Sequence, residues 1–359
     1  MRKWMVVCAA KQASLEKLRF ASVDGVEIIP FRQSKEKIIE MHLRDNNPVL
    51  CMGILPAAVV KEEYAENVYW YMEYSPFRYK DLLERLDSKV HLLVSDMGYR
   101  NDLNKLFGRD AEYITPDANC YIKSFSKRKI PLLFVGNYLA PKDGEDLLDK
   151  SVSKWIRPLL EKAILKSKHN YRMSMEQIWK EVLMEEDLAY DQKLIDELLM
   201  LYQDEIIGFI ERISTEKAIK TLIDKGHTIT VIGENWEVLR GKLSTELQDK
   251  IVVEFPWIEN QHIMEALKRT QVMLGVDRST CEGLSVLNQL ALNQGCAIVV
   301  ERNSVTEHLE NEGYRIVTYS AEKVGECGKK INKAIKMMEE FRKEEQKKNS
   351  PLVEWLIRN

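Results

Sequence analysis

The sequence predicts an α/β protein with two parallel-sheet domains, and three observations lead to this fold class. Short apolar runs of strand type alternate with helical patterns along most of the 359 residues. The runs fall into two sets, which the cationic, proline-ended segment KSFSKRKIP near residues 123–131 separates. At about 150 residues per domain the length also favours two domains, each large enough to bury a core.

Each half contains six candidate strands. In the first half they are WMVVCA, VEIIPF, PVLCMGIL, NVYWYMEY, VHLLVSD and AEYITP, with helical patterns such as SKEKIIEMHLRD and YKDLLERL between them. In the second half they are PLLFVG, HTITVIG, KIVVEFP, VMLGV, CAIVVE and YRIVTY. We therefore expect one domain at residues 1–128 and a second at residues 129–325.

Two further segments are helical in pattern. From about residue 145 to residue 225, apolar residues recur three and four positions apart among many charges. This pattern predicts amphipathic helices packed within the second domain, and a partner-binding coiled coil is the alternative. The tail at residues 326–359 is a charged helical stretch that ends in the apolar run LVEWLI.

Composition limits the class of protein. With 45% hydrophobic residues, 30% charged residues and a net charge of −3, the chain looks globular and is not basic enough for nucleic acid to be its main partner. The cysteines form no CxxC pair, so we interpret them as reduced thiols of a cytoplasmic protein: Cys8, Cys51, Cys120, Cys281, Cys296 and Cys327. No apolar stretch approaches the ~20 residues that span a membrane, so any membrane association would be peripheral.

Three glycine turns are candidate ligand-binding positions. They are Gly136-Asn137, Gly233-Glu234 and Glu282-Gly283. The first two follow apolar strands, where a doubly wound sheet places its ligand. The third opens the apparent helix of a βαβ unit. A helix N-terminus can bind a phosphate, and a carboxylate beside it can bind sugar hydroxyls, so this turn suits a nucleotide or a nucleotide sugar. The alternative is that these turns are ordinary parts of the scaffold. Trp236 also has two interpretations: it lines the pocket, or it covers the sheet.

Absent motifs narrow the chemistry. The sequence has no GxxxxGK[ST], GxGxxG, HExxH or GxSxG motif, which argues against a P-loop NTPase, a dinucleotide-binding fold, a zinc protease and a serine hydrolase of the usual kinds. It has no Asp-x-Asp pair, and its six histidines are scattered. We therefore expect no metal and no cofactor, so that helix dipoles and side-chain cations would hold a nucleotide.

Five segments, in order, resemble a family of bacterial glycosyltransferases. They are VYWYMEYSPFRYKDLLERL, VHLLVSDMGYRNDL, RKIPLLFVGNYLAP, GHTITVIGENW and MLGVDRSTCEGLSVLNQLALNQGCAIVVERNSVTEHLENEGYRIVTY, within roughly residues 65–325. The family is the CgeB-like and flagellin-modification group, a branch of the "glycosyl transferases group 1" proteins with the GT-B fold. The resemblance implies two Rossmann-like domains facing across a cleft, with the nucleotide sugar mainly on the second domain and the acceptor on the first. It also implies a C-terminal helix that crosses back onto the first domain, for which the tail at residues 326–359 is the candidate.

The donor motif departs from the family in three places. Ser-Val-Leu at residues 285–287 replaces the family's His-Asp-Arg triplet. Of two glutamates that stand eight positions apart in the wider retaining group, Glu282 matches the first, but the second falls on Leu290. The first domain's turn reads Glu-Tyr-Ser-Pro at residues 73–76, without the family's histidine base. The resemblance is therefore to a member with a degenerate donor motif.

Glycosyl transfer requires stabilisation of a leaving diphosphate and, for inversion, a base for the acceptor proton. Arg278, next to Asp277, is the candidate phosphate cation, because an arginine fork suits a diphosphate. Glu282 is the candidate for binding ribose or donor-sugar hydroxyls. Glu73 and Asp96 each follow a first-domain strand and are the candidate catalytic bases, with solvated turn carboxylates as the alternative.

Two functional interpretations follow. In one, the protein is a metal-independent glycosyltransferase that acts on a flagellin-like protein or a surface polysaccharide. In the other, it is a GT-B-shaped, non-catalytic partner subunit or scaffold of a glycosylation system. Either could form a homo-oligomer or a hetero-oligomer. The first interpretation predicts that Gly136, Gly233, Arg278 and Glu282 line one cavity at the carboxyl ends of the second domain's strands.

Overall fold

The computed structural model describes residues 3–10, 12–21, 23–120, 128–138, 155–169, 173–276, 282–341 and 350–359. These residues form two α/β domains, each built on a sheet of six parallel strands. Strands in such sheets are buried on both faces, which is why they appear in the sequence as nearly continuous apolar runs. None of the helices in these ranges combines the length and apolar character needed to cross a bilayer.

The first sheet consists of β1 (Trp4–Ala9), β2 (Val26–Phe31), β3 (Val49–Met52), β4 (Val68–Met72), β5 (His91–Val94) and β6 (Ala111–Tyr113). Its order is β2-β1-β3-β4-β5-β6, so the chain changes direction across the sheet between β1 and β3. The α-helices of this domain are α1 (Ala13–Arg19), α2 (Glu36–Arg44), α3 (Lys80–Arg85) and α4 (Met97–Phe107).

The second sheet consists of β7 (Ile130–Val135), β8 (Ile229–Ile232), β9 (Ile251–Phe255), β10 (Thr270–Gly275), β11 (Ala297–Glu301) and β12 (Ile316–Tyr319). Its order, β12-β11-β10-β7-β8-β9, is the Rossmann order, with the change of direction between β7 and β10. Each of the twelve strands overlaps one of the twelve predicted runs, although β7 and β10 begin one and two residues before theirs. The predicted fold class, two Rossmann-like α/β domains, is confirmed.

Among the described residues between β7 and β8 there are three helices, namely α5 (Arg157–His169), α6 (Met175–Glu185) and α7 (Gln192–Asp224). They bury a core of their own around Leu160, Trp179 and Ile206, so the described part of the predicted helical segment is a packed helical layer. The far end of α7 joins the core of the second sheet through Ile219 and Leu222. This 33-residue helix therefore ties the helical layer to the second domain.

Among the described residues, the remaining helices of the second domain are α8 (Trp236–Gly241), α9 (Thr245–Gln248), α10 (Asn260–Arg269), α11 (Val286–Asn293) and α12 (Ser304–Asn311). The tail forms α13 (Cys327–Phe341) and α14 (Pro351–Arg358). The structure divides this tail between the domains. The apolar side chains of α13 recur every three or four residues and pack into the core of the second sheet, because that face is continuous along the helix. Leu352, Val353, Trp355 and Leu356 of α14 pack on the first sheet, so the chain crosses back at its end.

Candidate functional site

Both sheets open, at the carboxyl ends of their strands, onto one cleft of about 690 Å³. Ala9 and Gly53 reach it from the ends of β1 and β3, between which the first sheet changes direction. Val135 and Gly275 reach it from the ends of β7 and β10, the corresponding pair of the second sheet. Ligands of open α/β sheets bind at such switch points, and here two of them share a single space.

Glu73 places a carboxyl group on the first-domain wall of the cleft. It follows β4 directly, is half-buried, and lies so close to Gly53 that a Cβ added there would collide with Oε2 of Glu73. Burial, and next the charge of Glu16, raise the pKa of Glu73 to about 7, while Arg19 and a hydrogen bond from Gln12 act in the opposite direction. Near neutral pH this carboxyl can accept or donate a proton.

A buried polar cluster lies behind Glu73. Glu16 on α1 is 4% exposed, and burial is the main cause that raises its pKa. Arg19 donates to the Glu16 carboxylate at 3.1 Å and pairs with Asp117 at 3.1 Å. It also donates to Oδ1 of Asn293 on α11 at 3.2 Å, which ties the first domain to the second. Sequence reasoning missed this cluster, since ASLEKLR matches no motif.

The start of α11 forms the second-domain wall. The sequence placed the beginning of this helix at Glu282-Gly283, but the structure begins it at Val286. The physical reason is the cap: the Ser285 hydroxyl accepts from the backbone N–H of Asn288 at 3.3 Å. Ser285, Val286 and Leu287 line the cleft, so the unsatisfied N–H groups of the first helical turn border it.

Asp96, the other candidate base, lies elsewhere and has a structural role. It is 2% exposed and lines neither this cleft nor the cavity described below. Its carboxylate accepts from the backbone N–H of Tyr99 at 3.1 Å, which caps α4, and from that of Glu282 at 3.2 Å. Burial raises its pKa to about 6, although these backbone hydrogen bonds oppose the shift. Asp96 thus joins the two domains, and a Cβ on Gly283 would lie 2.5 Å from it.

The other two glycine turns form one compact cluster at the ends of β7 and β8. A Cβ on Gly233 would collide with the carbonyl oxygen of Gly136, so the two glycines allow the turns to touch. The Asn137 side chain accepts from the backbone N–H of Glu234 at 2.8 Å, and the indole N–H of Trp236 donates to the Gly136 carbonyl at 2.9 Å. These five residues line neither cavity, and Trp236, 1% exposed, covers the sheet within the core.

Glu282 is exposed and lines a second cavity of about 450 Å³ next to the cleft. Asp277 and Arg278 lie outside the described residues. Gly136 and Gly233 therefore lie together and line neither cavity, whereas Glu282 lines the second cavity, next to the bridge between Gly283 and Asp96 of the first domain. Among the described residues, no group of three His, Cys, Asp or Glu side chains is arranged to hold a metal ion.

Comparison with known proteins gives one kind of match. No family model matches the chain, and no curated protein sequence does. Among solved structures, an α,α-trehalose 6-phosphate synthase from Burkholderia multivorans matches with 10% identity and a TM-score of 0.36, over 93% of this chain and 76% of that one. A UDP-forming α,α-trehalose-phosphate synthase from Burkholderia xenovorans, in complex with glucose-6-phosphate, matches with 8% identity and a TM-score of 0.36, over 92% and 78%. A third, from Burkholderia vietnamiensis, has 10% identity and a TM-score of 0.33, over 92% and 79%. Scores this low give the likeness no weight in assigning an activity.

Proposed function

We propose that this protein is a glycosyltransferase, which moves a sugar from a nucleotide-sugar donor to an acceptor hydroxyl in the cleft between its domains, without a metal. One observation carries the proposal: the switch points of both sheets open onto the same cleft. A titratable carboxyl, Glu73, stands on one wall, and the start of α11 forms the other. The acceptor we propose is a flagellin-like protein or a surface polysaccharide.

The second-domain wall suits the donor. The first N–H groups of α11 and the positive end of its dipole would stabilise the diphosphate that leaves. Ile258, Ile263 and Met264 line the same side and offer apolar surface to a nucleobase. Arg78 faces the cleft from the first domain, with its guanidinium 4.5 Å from the ring centroid of Tyr74, and is a second source of positive charge, which the carboxyl groups of Asp204 and Glu211 on α7 oppose.

The first-domain wall suits the acceptor. Glu73 would take the proton of the acceptor hydroxyl as that oxygen bonds to the anomeric carbon and the bond from this carbon to the phosphate oxygen breaks. A base works best when its pKa lies near the working pH, and burial raises the pKa of Glu73 to about 7. Gly53 leaves room for this carboxyl at the end of β3.

A non-catalytic partner subunit is the second candidate function, and the composition of the second-domain wall favours it. Val286, Leu287 and Leu290 give this wall an apolar character where a diphosphate would lie. Within the described residues, the second-domain part of the lining contains no lysine or arginine. Such a subunit would keep the cleft but bind no nucleotide sugar.

The proposal is tested by incubating the protein with UDP-, GDP-, CDP- and dTDP-sugars and measuring the nucleoside diphosphate released with water as acceptor. We expect release from at least one donor and a loss of about 100-fold or more in Glu73→Gln, the usual effect of removing a general base. Glu84→Gln, at an exposed position on α3 outside the cleft, is the matched control and should keep its activity. Wild-type turnover in Glu73→Gln would exclude Glu73 as the base, and no release from any donor would favour the partner subunit.

A further inference from the structure

The second cavity, of about 450 Å³, has none of the roles proposed above. Three parts of the molecule form its walls: α4 of the first domain, α6 and α7 of the helical layer, and the second domain around the ends of β10 and β11. Ile207, Gly275 and Asn288 line both this cavity and the cleft. A molecule bound in the cavity could therefore reach the cleft at this shared wall.

Asn288 in the shared wall has an unsatisfied polar atom. Its side chain is 4% exposed, and Oδ1 has no hydrogen-bond partner among the described residues. A Cβ on Gly275 would collide with this oxygen, so the amide lies flat against the end of β10. A buried carbonyl oxygen without a donor costs free energy, and a rotation of the amide toward the cavity would let a ligand hydroxyl supply that donor.

A pair of polar side chains lines the same space. Asp102 on α4 is hydrogen-bonded to Gln203 on α7, and Gln203 is 7% exposed. Burial is the main cause that raises the pKa of Asp102 to about 7. An amide group and a protonated carboxyl group each contain a donor and an acceptor, as a hydroxyl does. Either group can therefore pair with a ligand hydroxyl. The lining thus offers hydrogen-bonding groups to a polyhydroxylated ligand from Asn288, Asp102 and Gln203.

The charge of the lining selects against anions. Its carboxyl-bearing residues are Asp102, Glu176, Glu282 and Glu301, and its cationic residues are Lys105 and Arg302. Lys105 forms an ion pair with Glu176, and Arg302 lies 3.9 Å from Glu307. An added phosphate would meet an excess of negative charge, whereas a neutral ligand would not. Leu106, Met173 and Met175 contribute apolar surface for the C–H faces of such a ligand.

We propose that this cavity binds a neutral saccharide and presents one of its hydroxyls to the cleft past Asn288. The role of that saccharide as acceptor rests on the proposed glycosyl transfer, but its binding requires no donor. The volume falls within the range of about 300–1,000 Å³ of small-molecule sites. Because α6 and α7 supply one wall, the helical layer acts as the part of the protein that selects the saccharide.

The test is saturation-transfer NMR and calorimetry with maltose, lactose, cellobiose and N-acetylglucosamine, and with glucose 6-phosphate as the anionic comparison. We expect at least one neutral saccharide to bind, and to bind more tightly than glucose 6-phosphate. Asn288→Leu removes the unpaired oxygen, and Asn101→Trp fills the cavity from an exposed position on α4. Each should weaken binding about tenfold or more, the effect of losing a hydrogen bond or the space itself. Gln261→Leu, at an exposed amide that lines neither cavity, should bind like the wild type.

Failure of all four neutral saccharides to bind, or unchanged binding in Asn101→Trp, would overturn this proposal. Asn101 is exposed, so its variant decides the matter even if Asn288→Leu does not fold, which a melting curve reveals. The same calorimetry with nucleoside diphosphates separates the two proposals. Saccharide binding without diphosphate binding would remove the proposed transferase and leave this site, and the reverse result would remove only this site.

Discussion

At Glu73, a position that the sequence singles out only as a carboxylate after a strand, the surroundings supply the chemistry. Burial and the charge of Glu16 raise its pKa to about 7, and Gly53 gives it room. Glu16 lies 57 positions away on α1, and no local pattern connects the two. Asp96 follows a strand in the same way, yet its carboxylate is used by backbone N–H groups of both domains. Residue type and position after a strand could therefore nominate both carboxyls but could not rank them.

The raised pKa of Glu73 predicts how stability depends on pH. Folding favours the protonated carboxyl, so its contribution is complete below the unfolded pKa of about 4.5 and is lost as the pH rises through the folded pKa of about 7. Glu73→Gln cannot ionise and should not show this loss. Between pH 4.5 and pH 8, the wild type should lose about 1–3 kcal/mol of unfolding free energy relative to Glu73→Gln, as measured by urea denaturation. If the unfolding free energies of the two proteins changed with pH in the same way, folding would not raise the pKa of Glu73.

At the scale of elements, apolar patterns located every strand but misplaced the start of α11. Leu284 extends the helical spacing of Leu287 and Leu290 upstream of the true start, and all three pack in the same core. The competing signal is the Ser285 cap, together with the pairing of Gly283 with Asp96 of the other domain. Caps that depend on side-chain hydrogen bonds can be found in a sequence, but a bridge between residues 96 and 283 cannot.

Two helix caps provide a prediction at this scale. Asp96 caps α4 and also accepts the N–H of Glu282, whereas Asp191 caps α7 by accepting from Leu194 at 2.8 Å. Asp191→Ala should cost about 1 kcal/mol, the usual loss for a cap. Asp96→Ala should cost about 2–3 kcal/mol, because it also leaves the part-buried interdomain N–H of Glu282 without its acceptor. Urea denaturation at pH 5 measures both variants, because burial raises the pKa of Asp96 to about 6 and its ionised form, which burial disfavours, is the minor form at that pH. Equal losses would mean that the interdomain hydrogen bond contributes nothing.

At the scale of the whole molecule, the two sheets face one cleft because several connections join the domains. They include the Arg19–Asn293 hydrogen bond, the Asp96–Gly283 bridge and the return of α14 to the first sheet. The sequence predicts two α/β domains, and the family resemblance implies their facing arrangement and the returning helix. Neither the sequence nor the resemblance predicts the second cavity, because α4, the helical layer and the end of β10 form it together although they are far apart in the chain.

The return of α14 has a measurable contribution to stability. Trp355 is 5% exposed and meets Trp4 and Tyr69 edge-on at ring centroid distances of 5.8 and 5.4 Å. Trp355→Ala should cost about 3–5 kcal/mol of unfolding free energy, as expected for a large buried side chain. Ile357→Ala, at a position of the same helix that is 59% exposed, should cost less than about 0.5 kcal/mol. Similar losses in both variants, measured by denaturation, would mean that α14 does not dock on the first sheet in solution.

Nucleoside diphosphate binding, measured by calorimetry, tests most directly whether the cleft holds a nucleotide-sugar donor. We expect UDP, GDP, CDP or dTDP to bind the wild type, and Ile258→Asp to weaken that binding by about 1 kcal/mol, roughly fivefold, through charge repulsion at the mouth of the cleft. Val252→Asp is the matched control, since Val252 is 42% exposed and Ile258 43%, but Val252 lies outside the cleft. Binding that Ile258→Asp and Val252→Asp alter equally, or no binding of any diphosphate to the folded protein, would contradict the donor site.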